Sequence, residues 1–123
     1  MKTPLYTEIN YPHVMVNVST TPLDLIILLH DSAVESLQRA IFYKNKGDDK
    51  EKTFHISKAM AIIEELLYSL DLGEGGDAAL SLQRVYTYML KELTIANIKD
   101  NVRLIRYIQE MLKDIKRAWR QVQ

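Results

Sequence analysis

Apolar residues recur at helical spacing along most of the chain, and breakers divide the pattern into four runs. The first starts at Thr21-Pro22-Leu23-Asp24, where Thr21 suits a cap, Asp24 its reciprocal partner, and Pro22 the first helical position, whose amide needs no partner. Leu23, Ile26, Ile27, Ala33, Val34, Leu37, Ala40 and Ile41 then follow at a period of about 3.6 residues, until Gly47 and Asp48-Asp49 end the run. Leu25, Leu28 and Leu29 lie off that stripe, so this helix needs a second covering surface.

The second run opens between Asp49 and Thr53 and carries Ile56, Ala59, Met60, Ile63, Leu66, Leu67 and Leu70. The third reads from about Asp77 through Leu82, Val85, Tyr86, Met89, Leu90, Leu93 and Ala96. The fourth opens near Asp100, read as its cap, and alternates steps of three and four through Ile105, Ile108, Leu112, Ile115, Trp119 and Val122, a heptad seam. The pattern predicts one domain over 1–123, with helices at 21–46, 50–71, 77–97 and 100–121 after a leader at 1–20. Each helix is about 20 to 25 residues, or roughly 30 to 37 Å. Links of a few residues force neighbours to run antiparallel, so the expected fold is all-α: an up-down four-helix bundle, with an extended or partly helical N-terminal segment packed on it.

That leader holds Tyr6, Ile9, Tyr11, Val14, Met15, Val16 and Val18 with Pro4 and Pro12. It is too apolar for a solvated tail and too proline-broken for a long helix. Two readings stay open, a segment packed permanently on the bundle and a displaceable cover over a groove.

Composition narrows the function. At 123 residues with 47% hydrophobic and 26% charged, the chain is an ordinary globular domain with room for one core. Sixteen basic and sixteen acidic side chains give a formal net charge of zero, and so no overall field for nucleic acid or anionic lipid. No cysteine is present, which removes disulfides, thiolate zinc sites and cysteine nucleophiles. The longest apolar stretch, Leu25 to Leu29, is far below the roughly 20 residues that span a bilayer, and Met1 to Asn10 lacks the pattern of a secretory signal, so a cytoplasmic location without membrane insertion is expected.

Candidate chemistry is sparse. None of His13, His30 and His55 stands three residues after a glutamate, so the di-iron pattern of some bundles fails on spacing. His30 and Asp31 are adjacent on a helix and point about 100° apart, which favours a buried, hydrogen-bonded histidine over a base with its orienting acid. The serines sit in no nucleophile elbow. Gly73-Glu74-Gly75-Gly76 is surrounded by Asp71 and Asp77 with no Lys-Ser or Lys-Thr following, so it reads as a flexible turn and not a phosphate loop. Glu64 and Glu65 read as solvated face. No enzymatic function, metal or cofactor is expected. Charge is uneven, however: residues 51–77 hold two basic and six acidic side chains, net −4, and residues 99–123 seven basic and three acidic, net +4. Lys113, Lys116, Arg117 and Arg120 either complement the helix dipole or form a docking patch for an acidic surface.

The third and fourth runs carry a text. Val85-Tyr86-Thr87-Tyr88, Leu93-Thr94-Ile95-Ala96-Asn97, Asp100 and Ala118-Trp119 resemble the flagellin secretion chaperone family, FliS. The likeness extends back through Ile62-Ile63-Glu64-Glu65-Leu66, Leu70-Asp71 and Gly75-Gly76 to Val18, Thr20, Pro22, Leu25, Leu28-Leu29 and Asp31, so it covers about residues 11 to 120 in order. His30 departs from it, standing where the family usually has tyrosine.

The resemblance implies a cytosolic export chaperone without catalysis or cofactor. Its partner would be the C-terminal segment of flagellin, bound one to one, kept from polymerising and delivered to the flagellar type III export apparatus, with export gate components as further partners. The alternatives are a related bundle chaperone or adaptor for another flagellar or export protein, and a structural homodimer. An amphipathic flagellin end would need apolar grooves to lie in. Leu25, Leu28, Leu82, Val85, Tyr86, Met89, Leu93 and Asn97 are the candidates for that contact, with bundle core as the competing role for the apolar ones and helix capping for Asn97. Tyr6, Tyr11, Val14 and Val16 of the leader are expected to cover the groove in the free protein and imitate the client.

Overall fold

In a computed structural model the described residues are 22–122. They form α1 (Pro22–Asn45), α2 (Asp49–Tyr68), α3 (Leu72–Lys99) and α4 (Val102–Val122). Each helix packs on its chain neighbours and α4 closes the ring on α1, leaving α1–α3 and α2–α4 as the diagonals of an antiparallel bundle. The expected all-α four-helix bundle is therefore what forms. The leader lies outside the described residues.

The links are short because each end is capped locally. After α1, the Asp48 amide donates to the Tyr43 carbonyl and the Gly47 amide to Lys44, with Gly47 at φ 76. That paired geometry closes a helix on a left-handed residue, a position glycine occupies without a Cβ clash. Asp48 then accepts from the Glu51 amide and starts α2. Asp71 does the same for α3 through the Glu74 amide.

Three details depart from the sequence reading. α3 opens at Leu72, not Asp77, because a first turn over Leu72–Gly75 precedes a break at Gly76 (φ 58, ψ −141), after which the helix runs from Asp77. Asp100 does not cap α4; it ends α3 in the left-handed region at φ 54, with the Asn101 amide donating to the Ala96 carbonyl. Asn101 caps α4, accepting from the Leu104 amide. Leu29 is not off the stripe but at the centre of the core, with Leu37, Ala40, Ile56, Ile63, Leu66, Met89, Leu93, Ile105, Ile108 and Leu112. An α1 buried from Ile27 round to Ser36 explains why its apolar arc is wider than one stripe.

Candidate functional site

A polar bond crosses the middle of the core. The His30 Nδ1 lies 2.7 Å from the Ile26 carbonyl oxygen, which can only accept, so that nitrogen carries the proton. Nε2 is then the lone-pair nitrogen and accepts from the Tyr86 hydroxyl at 2.8 Å, joining the diagonal helices α1 and α3. Burial holds the imidazole neutral, pulling its pKa down to about 4 against the opposing pull of the Ile26 bond and Asp31; Lys116 lowers it further. This is the buried, hydrogen-bonded histidine that its setting on α1 favoured.

At the opposite end a second polar group ties α2 to the α3–α4 link. Lys52, itself buried, donates to the Asn97 carbonyl at 3.1 Å and to the Asp100 carboxylate, which also faces Lys44. Thr53 donates its hydroxyl to the Asn97 side-chain oxygen at 3.1 Å. The hydrogen bond from Lys52, then its charge and that of Lys44, hold the Asp100 carboxyl below its usual pKa against the effect of desolvation.

The eight contact candidates do not share one place. Tyr86, Met89 and Leu93 are at 0% exposure, in the core. Asn97 is occupied by Thr53 and Lys52. Leu25 is half-buried and lies about 18 residues, or five turns, before Tyr43, hence on the same flank of α1. Tyr43 stacks on His55 of α2, so that flank faces α2; Leu28 is one turn on, also half-buried. Leu82 and Val85 are half-buried on α3, diagonal to α1.

Between α3 and α4 the ring is packed most loosely. There Leu82 and Val85 are joined by half-buried Leu104, Met111 and Ile115 of α4, all resting on the core. Tyr88 (40% exposed) and Tyr107 (54%) flank them. Partial desolvation, then the nearby Glu92 and Tyr107, raise the pKa of the Tyr88 phenol, which sets these side chains beside one another across the two helices. The result is an apolar strip along a seam. Leu104, Tyr107 and Met111 lie outside the heptad seam of Ile105, Ile108 and Leu112. The available signal was a second stripe, Leu104, Tyr107, Met111 and Ile115, at steps of three and four.

The basic end of α4 is largely used internally. Lys116 bonds Asp31 at 2.7 Å, Lys113 bonds Glu110 at 3.2 Å, and Arg117 pairs with Asp114. Among the described residues no three His, Cys, Asp or Glu side chains gather as a metal site, and no helix is long and apolar enough to cross a membrane.

The chain matches the family described as flagellar protein FliS over residues 7–123. It is 35% identical over 106 residues to the flagellar secretion chaperone FliS of Salmonella typhimurium, spanning 85% of this chain and 78% of that one. The flagellar secretion chaperone FliSB of Pseudomonas aeruginosa is 34% identical over 98 residues, 80% of this chain and 78% of its own. FliS of Bacillus subtilis is 27% identical over 103 residues, 84% and 76%. Fold and relatives together define an all-α chaperone of flagellar secretion, a class that works by holding a protein partner and is not an enzyme. The chain belongs to the FliS family.

Proposed function

We propose that this chain is a cytosolic export chaperone that binds the C-terminal segment of flagellin one to one, keeps it from polymerising and aids its delivery to the export apparatus. The observation that carries the reading is the apolar strip along the loosely packed α3–α4 seam, in a chain of the FliS family. An amphipathic helix laid there covers Leu82, Val85, Leu104, Met111 and Ile115, with Tyr88 and Tyr107 as aromatic edges. Leu25 and Leu28, at the same end of the bundle but on the diagonal helix, then serve a different stretch of a client that wraps the molecule. Tyr86, Met89 and Leu93 act from beneath as the support of the strip.

The leader is proposed to cover the strip in the free protein through Tyr6, Tyr11, Val14 and Val16. Removing residues 1–17 then tightens client binding, and unchanged or weaker affinity with the bundle still folded overturns the cover. The main test is titration calorimetry with a peptide of flagellin's last forty or so residues. Met111→Asp and Tyr107→Ser, at partly exposed sites, are each expected to weaken binding by at least about tenfold while helicity is retained. Full affinity in both variants excludes the seam. Light scattering that shows a dimer indifferent to the peptide overturns the chaperone reading itself.

A further inference from the structure

A second surface lies at the corner where α2 turns into α3, away from the α3–α4 seam. Tyr68 (75% exposed), Leu72 (43%) and Leu80 (40%) stand in water within this one stretch of chain. The bond from Thr53 to Asn97 sets the antiparallel register of α2 against α3, which brings Leu80 level with the end of α2, beside Tyr68. Single exposed apolar residues are ordinary; three gathered at one corner form a patch.

Acidic side chains dominate around the patch, with exposed Arg84, one turn beyond Leu80 on α3, as a base at its edge. Between Lys58 and Arg84 there is no basic residue, while Glu64, Glu65, Asp71, Glu74 and Asp77 are acidic. Asp71 is occupied as the cap of α3. Among the described residues Glu64, Glu65, Glu74 and Asp77 form no ion pair, whereas Asp31, Glu35, Asp100, Glu110 and Asp114 all do. The basic end of α4 lies at the same end of the bundle but across it from α2, and Lys113, Lys116 and Arg117 are held by their own partners. Among the described residues the corner therefore keeps an acidic surplus.

We propose that the α2–α3 corner docks a basic amphipathic helix of a second protein, its apolar face on Tyr68, Leu72 and Leu80 and its Lys or Arg residues against Glu64, Glu65, Glu74 and Asp77. An apolar centre supplies the contact and an acidic rim selects the partner and speeds encounter, so binding is salt-sensitive. The surface is separate from the seam and does not depend on the flagellin reading.

The probe is a synthetic amphipathic helix of about 14 residues, leucine on one face and lysine on the other, with a glutamate version as control, titrated into the full chain by NMR. The lysine peptide is expected to shift the amide signals of Tyr68, Leu72 and Leu80 and their neighbours, and to lose at least about tenfold in affinity between roughly 50 and 300 mM salt. Glu64→Lys, Glu74→Lys and Asp77→Lys together should cost at least about tenfold, and Tyr68→Ser alone about threefold, with helicity unchanged because all four side chains are exposed. Shifts centred on Tyr88 and Tyr107, equal binding of the glutamate peptide, or affinity untouched by the charge reversal each overturn the proposal.

Discussion

His30 makes the fold sensitive to pH in one direction. Its pKa is about 4 in the bundle and about 6.5 in an unfolded chain, so below about 6.5 the unfolded state binds the extra proton. The stability that depends on a neutral His30 is complete above that value, falls as the pH drops toward 4, and totals roughly 3 kcal/mol. Urea midpoints measured between about pH 7 and 4 should fall accordingly, and His30→Gln should flatten the slope. Asp100 acts in a lower window: its carboxyl is held below the usual 3.8, so its contribution is present above that value and disappears as the pH falls further. Two other side chains give simple stability tests. Lys52→Met strands the Asn97 carbonyl and leaves Asp100 with Lys44 alone, and is expected to cost about 2 kcal/mol. His55 is buried with an Nδ1 that has no partner among the described residues, while its ring lies parallel to Tyr43 at 5.4 Å. His55→Phe keeps the stack and removes the orphaned nitrogen, so the melting temperature should hold or rise.

At the scale of elements, the caps and breaks decide where helices end, and only some were legible. Gly47 as the end of α1 and the α4 seam at Ile105, Ile108 and Leu112 could be read directly, because a breaker and a heptad act through neighbours in sequence, while Asp48, which the sequence offers only as an end of α1, also caps α2. The first turn of α3 could not, since a glycine pair signals a break without saying whether a helical turn precedes it. Gly76 sits at φ 58 and ψ −141, open to glycine and strained for any residue with a Cβ, although its surroundings are empty. Gly76→Ala is expected to destabilise by about 1 to 2 kcal/mol in urea denaturation through backbone strain alone. Asp100 takes a left-handed position without being glycine, and the reason lies elsewhere in the fold: Lys52 and Lys44 hold its carboxylate. Asn97, which the sequence offers for capping or client contact, accepts from Thr53 of another helix.

For the whole molecule, polar ties link helices that the apolar core alone would let slide. His30 to Tyr86 joins α1 to α3, Lys52 joins α2 to the α3–α4 link, and the Gln109 side chain donates to the Val34 carbonyl and to Gln38, joining α4 to α1. Unfolding followed by the fluorescence of buried Trp119 and by helical circular dichroism should therefore give coincident curves. Separate midpoints would mean that α4, on the loosest seam, leaves first. The zero net charge also resolves at this scale. The positive surplus of α4 is partly consumed in pairs, but four carboxylates at the α2–α3 corner have no ion pair within the described residues.

Hydrophobic period, capping residues and link length are local, and from them the sequence by itself determined four antiparallel helices and one core, while the residues around Tyr86, Asn97 and Trp119 separately carry the family resemblance. Which apolar side chain faces inward is a property of how four helices are rotated against each other. Hence only the tertiary structure could bury Tyr86, Met89 and Leu93, place Leu82 and Val85 on a seam with Met111 and Ile115, and set Leu25 and Leu28 on a different helix pair. A period of 3.6 specifies a stripe, and its edges become core or surface according to how closely the neighbouring helix approaches.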